Sequence, residues 1–469
     1  MIIEKELGIS PDYQFKAYNS KNYLQRNWHR NKLDSINIFL SYLYNVSDKV
    51  VLDLGTGSGN FELVMNSKFK KIYGFDYNEE AVDFLNKKIK QNKITNVETT
   101  VIDITKIDLK DLPTKIDIVV MMDVIEHINS AEASNLIKLL RNNLNDDGKI
   151  IVITPNYSSP WIFIEKILDR LTIVPKFDGA QHIAKYSFDT LDKFFEKENY
   201  EKVFTTSINT LGFLFPNHYL CSSINKLEFF SRFKYGNLLV GIYQKKLNRN
   251  KKINVWKNLY GVDQQKLYSN FFVKNIFDLG HKFIAKYGKK KGVYLDFGSG
   301  FGYHLNFESK KNFDEYICMD TNSTTLKLIN KDNKIKTKIT DGKNVPLKDN
   351  SVDNIIASHI LEHVEDLDLL LKEFERVLKK DGKLLVVIPC DPGILWNALT
   401  LFSPSRKRIQ MNGLNYSEVM KYEHLNNPQC ILRLIKKYFH VSRKRYYPLL
   451  VPSINSNLIL CLECFKKDS

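Results

Sequence analysis

LDLGTGSGN, at residues 52–60, indicates a buried strand that runs into a glycine-rich turn, and LDFGSGFGY repeats this pattern at residues 295–303. A glycine-rich turn after a first strand lets backbone amides approach a ligand at the start of the next helix. A repeat at this distance is typical of a duplicated domain rather than of a solenoid. We therefore expect each turn to belong to its own copy of one fold.

Short runs rich in Val and Ile alternate with amphipathic segments in both copies. This alternation predicts parallel strands that are buried on both faces, and therefore an α/β fold with two tandem doubly wound sheets and helices on both faces. The predicted strands of the first copy are 49–55, 71–76, 97–103, 116–123 and 148–155, with helices at 78–92 and 130–144. Those of the second copy are 292–298, 315–320, 335–341, 352–359 and 383–390, with helices at 323–332 and 366–382.

The correspondence between the copies extends beyond the predicted strands. Asp53 precedes His182 by 129 positions, and Asp296 precedes His424 by 128. Each copy then ends in an apolar strand, and a polar basic run separates the two copies. These features predict a first domain at residues 1–247, a linker at 248–258 and a second domain at 259–469.

The net charge of +16 is distributed unevenly. Residues 1–250 carry 33 Lys and Arg against 30 Asp and Glu, whereas residues 251–469 carry 36 against 23. The basic excess of the second half fits a solvated surface, a phosphate-bearing acceptor or peripheral contact with an anionic membrane. No nucleic-acid-binding motif accompanies the charge, so the sequence argues against a nucleic-acid partner. No feature of the sequence predicts an oligomeric state.

The sequence favours a cytoplasmic protein. Its first residues are charged where a secretory signal would be apolar, and no run of 18 apolar residues appears. The six cysteines are scattered, and Cys461 and Cys464 lie in an apolar strand without a second C-x-x-C pair. We interpret this pair as core packing rather than as a zinc or redox site, and we predict no metal site.

Acidic residues end the second and third predicted strands of both copies, where ligands of open α/β sheets bind. Asp76 and Asp320 end the second strands, and a carboxylate there can accept both hydrogen bonds of a ribose diol. Asp103 and Asp341 end the third strands, where they can accept from an adenine amino group. The alternative is that these residues form turns or helix caps.

Taken together, these residues resemble the class I S-adenosylmethionine-dependent methyltransferases. The similarity rests on D-x-G-x-G-x-G, on the acidic strand ends, and on VIEHI at 124–128 and ILEHV at 360–364. Residues 345–364 are most similar to the branch that contains quinone-biosynthesis and glycan- or lipid-modifying enzymes. The motif residues are Asp53, Gly55, Gly57 and Gly59 in the first copy and Asp296, Gly298, Gly300 and Gly302 in the second.

The resemblance implies one S-adenosylmethionine per domain. It places the glycine loops at the methionine end of the cofactor, Asp76 and Asp320 at the ribose, and Asp103 and Asp341 at the adenine. It also implies a seven-stranded Rossmann-like sheet whose last strand is antiparallel to the others.

Six residues are candidates for acid–base catalysis at the methyl acceptor, because an alcohol or phenol must lose a proton as the new bond forms. They are Glu126, His127 and His182 in the first copy and Glu362, His363 and His424 in the second. The alternative is structural: the Glu–His pairs can cap a helix and brace strand ends, and the distant histidines can sit at a helix start. The copies differ at Asp123 and His359, which predicts different substrates or one weakened site.

Apolar, aromatic segments at 156–182 and 390–424 are the expected acceptor-binding caps. The second cap is also basic, which suits a small-molecule or lipid-linked acceptor with an apolar part and a phosphate, at the inner membrane surface. We therefore expect O-methylation of a glycan, a lipid-linked glycan or a related small acceptor. The alternatives are one active half with a structural or regulatory second half, a non-catalytic cofactor-binding scaffold, and, disfavoured by the glycine spacing, a nicotinamide-dependent oxidoreductase.

Overall fold

The computed structural model describes residues 10–161, 182–231, 234–248, 251–252, 254–256, 271–330, 332–401 and 403–467. The chain divides into two compact units, the first made of residues 1–259 with 408–414 and the second of residues 260–407 with 415–469. Each unit contains one seven-stranded sheet.

The sheet of the first unit has the strand order β3-β2-β1-β4-β5-β7-β6. Strands β1 to β5 pair in parallel, whereas β7 lies antiparallel between β5 and β6. The strands are β1 Val50–Leu54, β2 Lys71–Asp76, β3 Val97–Val101, β4 Ile116–Met122, β5 Leu144–Pro155, β6 Tyr200–Ile208 and β7 Leu238–Lys245.

Helices cover both faces of this sheet, and local sequence fixes where several of them begin. The Asn129 side chain accepts from the backbone N–H groups of Ala131 and Glu132, and the Glu132 side chain reaches back to the Asn129 N–H. This capping box satisfies N–H groups that have no partner inside the helix. The helices are α1 Tyr13–Tyr18, α2 Tyr23–Leu40, α3 Asn60–Met65, α4 Glu79–Gln91, α5 Ser130–Asn143, α6 Phe188–Lys197 and α7 His218–Ser231.

The core of the first unit follows from the alternation of side chains along the central strands. Leu52 and Val119 belong to the cluster on one face of the sheet, and Val51 and Val120 belong to the cluster on the other. All four are fully buried, as expected for parallel strands between two layers of helices.

The second unit repeats this architecture with the strand order β10-β9-β8-β11-β12-β14-β13, in which β14 is the antiparallel strand. Its strands are β8 Val293–Phe297, β9 Glu315–Asp320, β10 Ile335–Ile339, β11 Val352–Ser358, β12 Leu378–Pro389, β13 Phe439–Tyr447 and β14 Ile459–Lys466. Its helices are α8 Phe271–Tyr287, α9 Ser323–Leu326, α10 Leu367–Val377, α11 Ile394–Thr400, α13 Tyr416–Glu423 and α14 Pro428–Tyr438. Helix α12 Pro404–Met411 begins in this unit, and its residues 408–411 belong to the first unit.

The predicted fold class and the antiparallel last strand are confirmed in both units. Two predicted helices of the second copy were too long. The helix predicted at 323–332 ends at Leu326 and continues as i→i+3 turns, which fits the poor helix propensity of its β-branched threonines. The helix predicted at 366–382 ends at Val377, because Leu378 already pairs with Val352 of β11.

Two other predictions concern the ends of the second unit and the region between the units. Cys461 and Cys464 are free, buried side chains of β14, which confirms their interpretation as core residues.

The predicted linker at 248–258 lies partly outside the described residues. Among the described residues, no helix is both long and apolar enough to cross a membrane.

Candidate active site

The two glycine-rich turns follow β1 and β8 and share one backbone conformation. All six motif glycines have φ between 50° and 82°, a region that favours glycine because it lacks a Cβ. Each turn is tied to the neighbouring strand: the Gly55 N–H donates to the Phe75 carbonyl at 2.7 Å, and the Gly298 N–H donates to the Met319 carbonyl at 2.8 Å. The repeated sequence thus produces a repeated loop.

Asp76 and Asp320, the predicted ribose ligands, brace these loops. The Asp76 carboxylate accepts the Gly57 N–H on Oδ2 and the Asn78 N–H on Oδ1, both at 2.8 Å. Asp320 accepts the N–H groups of Gly300 and Asn322 in the same way, also at 2.8 Å. A carboxylate offers about four lone-pair sites, so each retains capacity for a ribose diol.

Asp53 and Asp296, the acidic residues that begin the two motifs, are buried beneath the loops. Burial raises the pKa of Asp53, and the nearby carboxyl groups of Glu62 and Asp76 raise it further. Burial likewise raises the pKa of Glu62 to about 7. Asp296 instead accepts a hydrogen bond from the Tyr316 hydroxyl at 2.9 Å, and burial raises its pKa to about 6. These side chains support the loops from the interior, and Glu62 was not among the predicted site residues.

Asp103 and Asp341, the predicted adenine-end residues, also bond within their own turns. Asp103 accepts from the Thr105 N–H at 3.0 Å and from its hydroxyl at 2.7 Å. Asp341 accepts the N–H groups of Lys343 and Asn344 at 2.9 and 2.8 Å, and these backbone hydrogen bonds lower its pKa to about 2. Both carboxylates therefore have the turn-forming function that the sequence left as an alternative.

The segments after β4 and β11 touch the glycine loops. A Cβ placed on Gly55 would lie 2.4 Å from Val124 Cγ2, and one on Gly298 would lie 2.5 Å from Ile360 Cγ1. Neither Glu126 nor Glu362 caps the following helix, because Asn129 caps α5 and Asp366 caps α10.

In the first unit, Glu126, His127 and His182 meet beside the loop. One nitrogen or oxygen of each lies within 4.8 Å of those of the other two, a spacing at which they can act on one proton or cation. The two imidazole rings are 5.1 Å apart and nearly perpendicular. Glu126 is fully buried and accepts the Thr154 hydroxyl at 2.9 Å, and burial followed by repulsion from Asp123 raises its pKa to about 8.

The second unit repeats this cluster with Glu362, His363 and His424, again within 4.8 Å of one another. The rings of the two histidines are 5.2 Å apart. Burial raises the pKa of Glu362 to about 7 and lowers that of His363 to about 4. The structure thus brings together all six residues proposed for acid–base chemistry, three in each half.

The distant histidines of the two halves have different partners. His182 Nδ1 bonds to the Tyr157 hydroxyl, whereas His424 Nδ1 bonds to Asp391 Oδ2 at 2.6 Å. Burial lowers the pKa of His182. Burial also acts to lower that of His424, but the bond to Asp391 and the charges of Asp391 and Glu362 outweigh it and raise the pKa. Tyr157 and Asp391 were not among the predicted site residues, although both stand two positions after the proline that ends a strand.

Asp123 and His359 occupy one backbone position with unlike chemistry. Their φ angles are 54° and 53°, in the left-handed region. Asp123 forms an ion pair with the buried Lys32, whose ammonium lies 3.8 Å from the centroid of the Trp28 ring. His359 packs edge-on against Phe277, and burial lowers its pKa to about 3.

A small cleft opens in front of the first loop. Its wall includes Gln14 of α1, which contacts the loop: the Asn60 side-chain amide donates to the Gln14 carbonyl at 2.9 Å. Other lining residues are His29, Lys32, Thr56, Asn60, Met122 and Asp123. Most of the predicted cap at 156–182 lies outside the described residues, and the described part of the second cap contains α11 to α13.

Family comparisons agree with this geometry. Two families, both described as methyltransferase domain, match residues 24–204 and residues 295–386. The chain belongs to the S-adenosylmethionine-dependent methyltransferases. The predicted resemblance is therefore confirmed for both halves, and the chain carries two methyltransferase domains in tandem.

The chain is also similar to individual proteins over parts of its length. It is 37% identical to an uncharacterised protein of Methanocaldococcus jannaschii over 26% of the chain and 52% of that protein. It is 33% identical to (S)-coclaurine N-methyltransferase of Papaver somniferum over 22% of the chain and 28% of that enzyme. The chain thus spans about half the length of these relatives or less.

Solved structures of methyltransferases resemble parts or all of the chain. Magnesium protoporphyrin IX methyltransferase from Synechocystis PCC 6803 aligns over 52% of this chain and 98% of its own, with 15% identity and a TM-score of 0.38. Phosphoethanolamine N-methyltransferase 1 of Haemonchus contortus aligns over 98% and 99%, with 13% identity and a TM-score of 0.33.

Proposed function

We propose that each half binds one S-adenosylmethionine and that the protein methylates oxygen atoms of a glycan, a lipid-linked glycan or a related small acceptor. The observation that carries this proposal is the double occurrence of a braced glycine loop in contact with the segment that bears a Glu–His–His cluster. The loops supply the cofactor site, and the clusters supply groups that can handle an acceptor proton.

The residues of both loops fit the cofactor. The Asp76 and Asp320 carboxylates hold the loop amides and keep lone pairs for a diol. Apart from residues 299–301 themselves, no heavy atom of the described residues lies within 4 Å of the place where a Cβ of Gly300 would stand, so the loop backbone there is open to a ligand. When bound, the cofactor supplies an electrophilic methyl group on a sulfonium, and the chain has to position the acceptor and exclude water.

Oxygen is the proposed acceptor atom because a hydroxyl must lose its proton as it is methylated. Both halves place two imidazoles and a buried carboxyl beside the loop. The pKa of Glu126, near 8, and that of Glu362, near 7, allow either group to exchange a proton around neutral pH. A single carboxyl that only braced a strand would not require two neighbouring imidazoles.

A second candidate is one active half with a regulatory or structural second half. The unlike pairs Asp123 and His359, and Tyr157 and Asp391, favour it, because each changes the charge at the acceptor side while the loops remain alike. A scaffold that binds the cofactor without methyl transfer is the remaining alternative.

Methyl transfer into a cell extract tests the proposed function. Extract treated with the protein and deuterated-methyl cofactor is expected to contain a compound whose mass increases by one labelled methyl group, bound to oxygen. Gly57→Arg and Gly300→Arg should each block their own loop, because a Cβ on Gly57 would already lie 2.5 Å from Gln14 Oε1 and both positions have positive φ.

The matched control is Asn92→Arg, which adds the same side chain at the exposed end of α4. Loss of labelling in only one glycine variant would support the one-active-half candidate. If the unchanged protein and the control variant bind the cofactor but label no compound in the extract, methyl transfer would be contradicted. The non-catalytic, cofactor-binding scaffold would then be the remaining alternative.

A lipid-linked acceptor is supported by an exposed apolar loop in the second unit. Leu449, Leu450 and Val451 are 58%, 59% and 48% exposed between β13 and β14. Ile394 at the start of α11, 71% exposed, is adjacent, since the Leu395 N–H donates to the Asn455 carbonyl at 2.9 Å. This half also carries most of the basic charge, so we propose that the loop contacts an anionic lipid surface on the cytoplasmic side.

Vesicle binding tests this contact. Leu449→Glu with Leu450→Glu is expected to lower binding to phosphatidylglycerol-containing vesicles at least about tenfold, since two apolar side chains are replaced by anionic ones. Leu227→Glu, at a 70% exposed position of α7 in the first unit, should leave binding unchanged. Equal binding by the double variant, or equal binding to pure phosphatidylcholine, would contradict the proposal.

A further inference from the structure

The Glu362 carboxylate in the second unit is buried without enough partners to compensate its charge. Its side chain is 3% exposed, and Oε2 has no hydrogen-bond partner among the described residues. Oε1 lies 3.8 Å from His359 Nδ1 and 3.8 Å from His363 Nε2, both too far for a hydrogen bond. A buried carboxylate in this state is normally neutralised by a proton or by a cation.

The two histidines beside it are held in one tautomer. His424 Nδ1 lies 2.6 Å from the Asp391 carboxylate, and His363 Nδ1 lies 2.8 Å from the Glu423 carbonyl oxygen. A carboxylate and a carbonyl can only accept, so in the neutral rings both Nδ1 atoms carry the hydrogen and both Nε2 atoms keep a lone pair for a cation. Metal-binding histidines are typically oriented in this way, with the second nitrogen donating to a carboxylate or a backbone carbonyl.

The first unit shares the buried carboxyl, since Glu126 Oε1 also has no hydrogen-bond partner among the described residues, but it differs in two of the groups around the cluster. His182 Nδ1 faces the Tyr157 hydroxyl, which can donate as well as accept and therefore does not fix the tautomer. One oxygen of Glu126 already accepts the Thr154 hydroxyl, whereas Ile388 occupies the corresponding position at the end of β12. The two clusters are alike in residue type but differ in the groups that orient them.

We propose that the second half binds one divalent transition-metal ion through Glu362, His363 and His424, and that the first half does not. Asp391 is a positioning residue for this site. One carboxylate and two imidazoles favour Zn²⁺, Co²⁺ or Mn²⁺ over Mg²⁺ and Ca²⁺, which prefer all-oxygen sites. Three protein ligands leave a coordination position open, as catalytic metal sites do.

The role of this ion rests on the proposed function, whereas its binding does not. Because Ile360 touches Gly298, the cluster lies next to the cofactor loop, and an ion there would hold an acceptor hydroxyl in the second half. The first half would retain its two imidazoles for proton transfer. The two clefts would then accept hydroxyl groups of different acidity. This agrees with the different residues at the equivalent position of the two halves, Asp123 in the first and His359 in the second.

Titration of the full-length, chelator-treated protein with Zn²⁺ and with Co²⁺ tests the proposal. The expected result is one ion per chain, with at least about 100-fold weaker Mg²⁺ binding and a Co²⁺ spectrum free of thiolate bands. Glu362→Gln and His424→Ala should each weaken Zn²⁺ binding at least about 100-fold. Asp391→Asn should weaken it about 10- to 100-fold, the usual effect of losing an orienting partner.

Glu126→Gln and His182→Ala are the matched controls in the first half and should leave the Zn²⁺ isotherm unchanged. Circular dichroism and cofactor binding by each variant show that the protein remains folded. Absence of a Zn²⁺ site, or a site that survives both Glu362→Gln and His424→Ala, would overturn the proposal. Two sites per chain, with one lost in Glu126→Gln, would overturn its restriction to the second half. Methyl transfer by a protein that binds no metal would overturn this inference while leaving the proposed function intact.

Discussion

Asp76→Ala is expected to lower the affinity of the first half for S-adenosylmethionine at least about 100-fold. The Asp76 carboxylate accepts the N–H groups of Gly57 and Asn78 and so holds the loop in its left-handed conformation. A hydrogen bond to a charged group contributes about 1.5–3 kcal/mol, and about 2.7 kcal/mol corresponds to a 100-fold change in affinity. Loss of both bonds and of the proposed ribose contacts should exceed that value.

Asp320→Ala should have the same effect on the second half, because Gly300 and Asn322 depend on that carboxylate in the same way. Calorimetric titration of the full-length protein should show two equivalents of cofactor for the unchanged chain and one for either variant. Asp108→Asn, at an exposed position, is the control and should retain two. An unchanged isotherm for Asp76→Ala would contradict the role assigned to the carboxylate.

Glu62→Gln is expected to stabilise the first unit, by about 2–3 kcal/mol at pH 8 and by little at pH 4.5. Burial raises the pKa of Glu62 to about 7 and also raises that of Asp53 beside it. A carboxyl whose pKa is raised by folding contributes its full stability below its unfolded pKa, near 4.3, and loses it as the pH rises through about 7. Glutamine at position 62 carries no charge, and its side-chain amide can donate a hydrogen bond to the Asp53 carboxylate.

Calorimetric unfolding across pH 4.5 to 8 measures this effect as the difference between variant and unchanged protein. The difference should grow with pH, because only the unchanged protein must bury a second ionised carboxylate. Glu196→Gln, on the exposed side of α6, removes an equal charge and should change the unfolding free energy by no more than about 0.5 kcal/mol. A pH-independent difference for Glu62→Gln would contradict the assignment.

Strand periodicity and glycine spacing were sufficient to predict much of the fold. Val51 and Leu52 show why: alternating apolar residues face opposite layers of helices, so buried parallel strands follow from their pattern. The convergence of Glu126, His127 and His182 was also predictable, because both copies carry a Glu–His pair after the fourth strand and a distant histidine at nearly the same separation from the motif aspartate, 129 and 128 positions.

Other features depend on contacts that the sequence pattern does not encode. Glu62 lies beside Asp53 because the first turn of α3 packs with this side chain buried. A glutamate in a short helix is otherwise expected to be a surface residue. Asp391 approaches His424 across 33 positions, and neither residue belongs to a motif. The exact ends of α9 and α10 were set by turns and strand pairing rather than by apolar periodicity.

The left-handed backbone at Asp123 and His359 has an evolutionary consequence. A non-glycine residue in this region costs about 1–2 kcal/mol, so selection for stability alone would favour glycine at both positions. After a duplication, a residue whose main chain is already fixed can be exchanged without remodelling its surroundings. Divergence of the two copies at this point therefore needs one codon rather than a new loop, and directed evolution of acceptor choice has a natural first position to randomise.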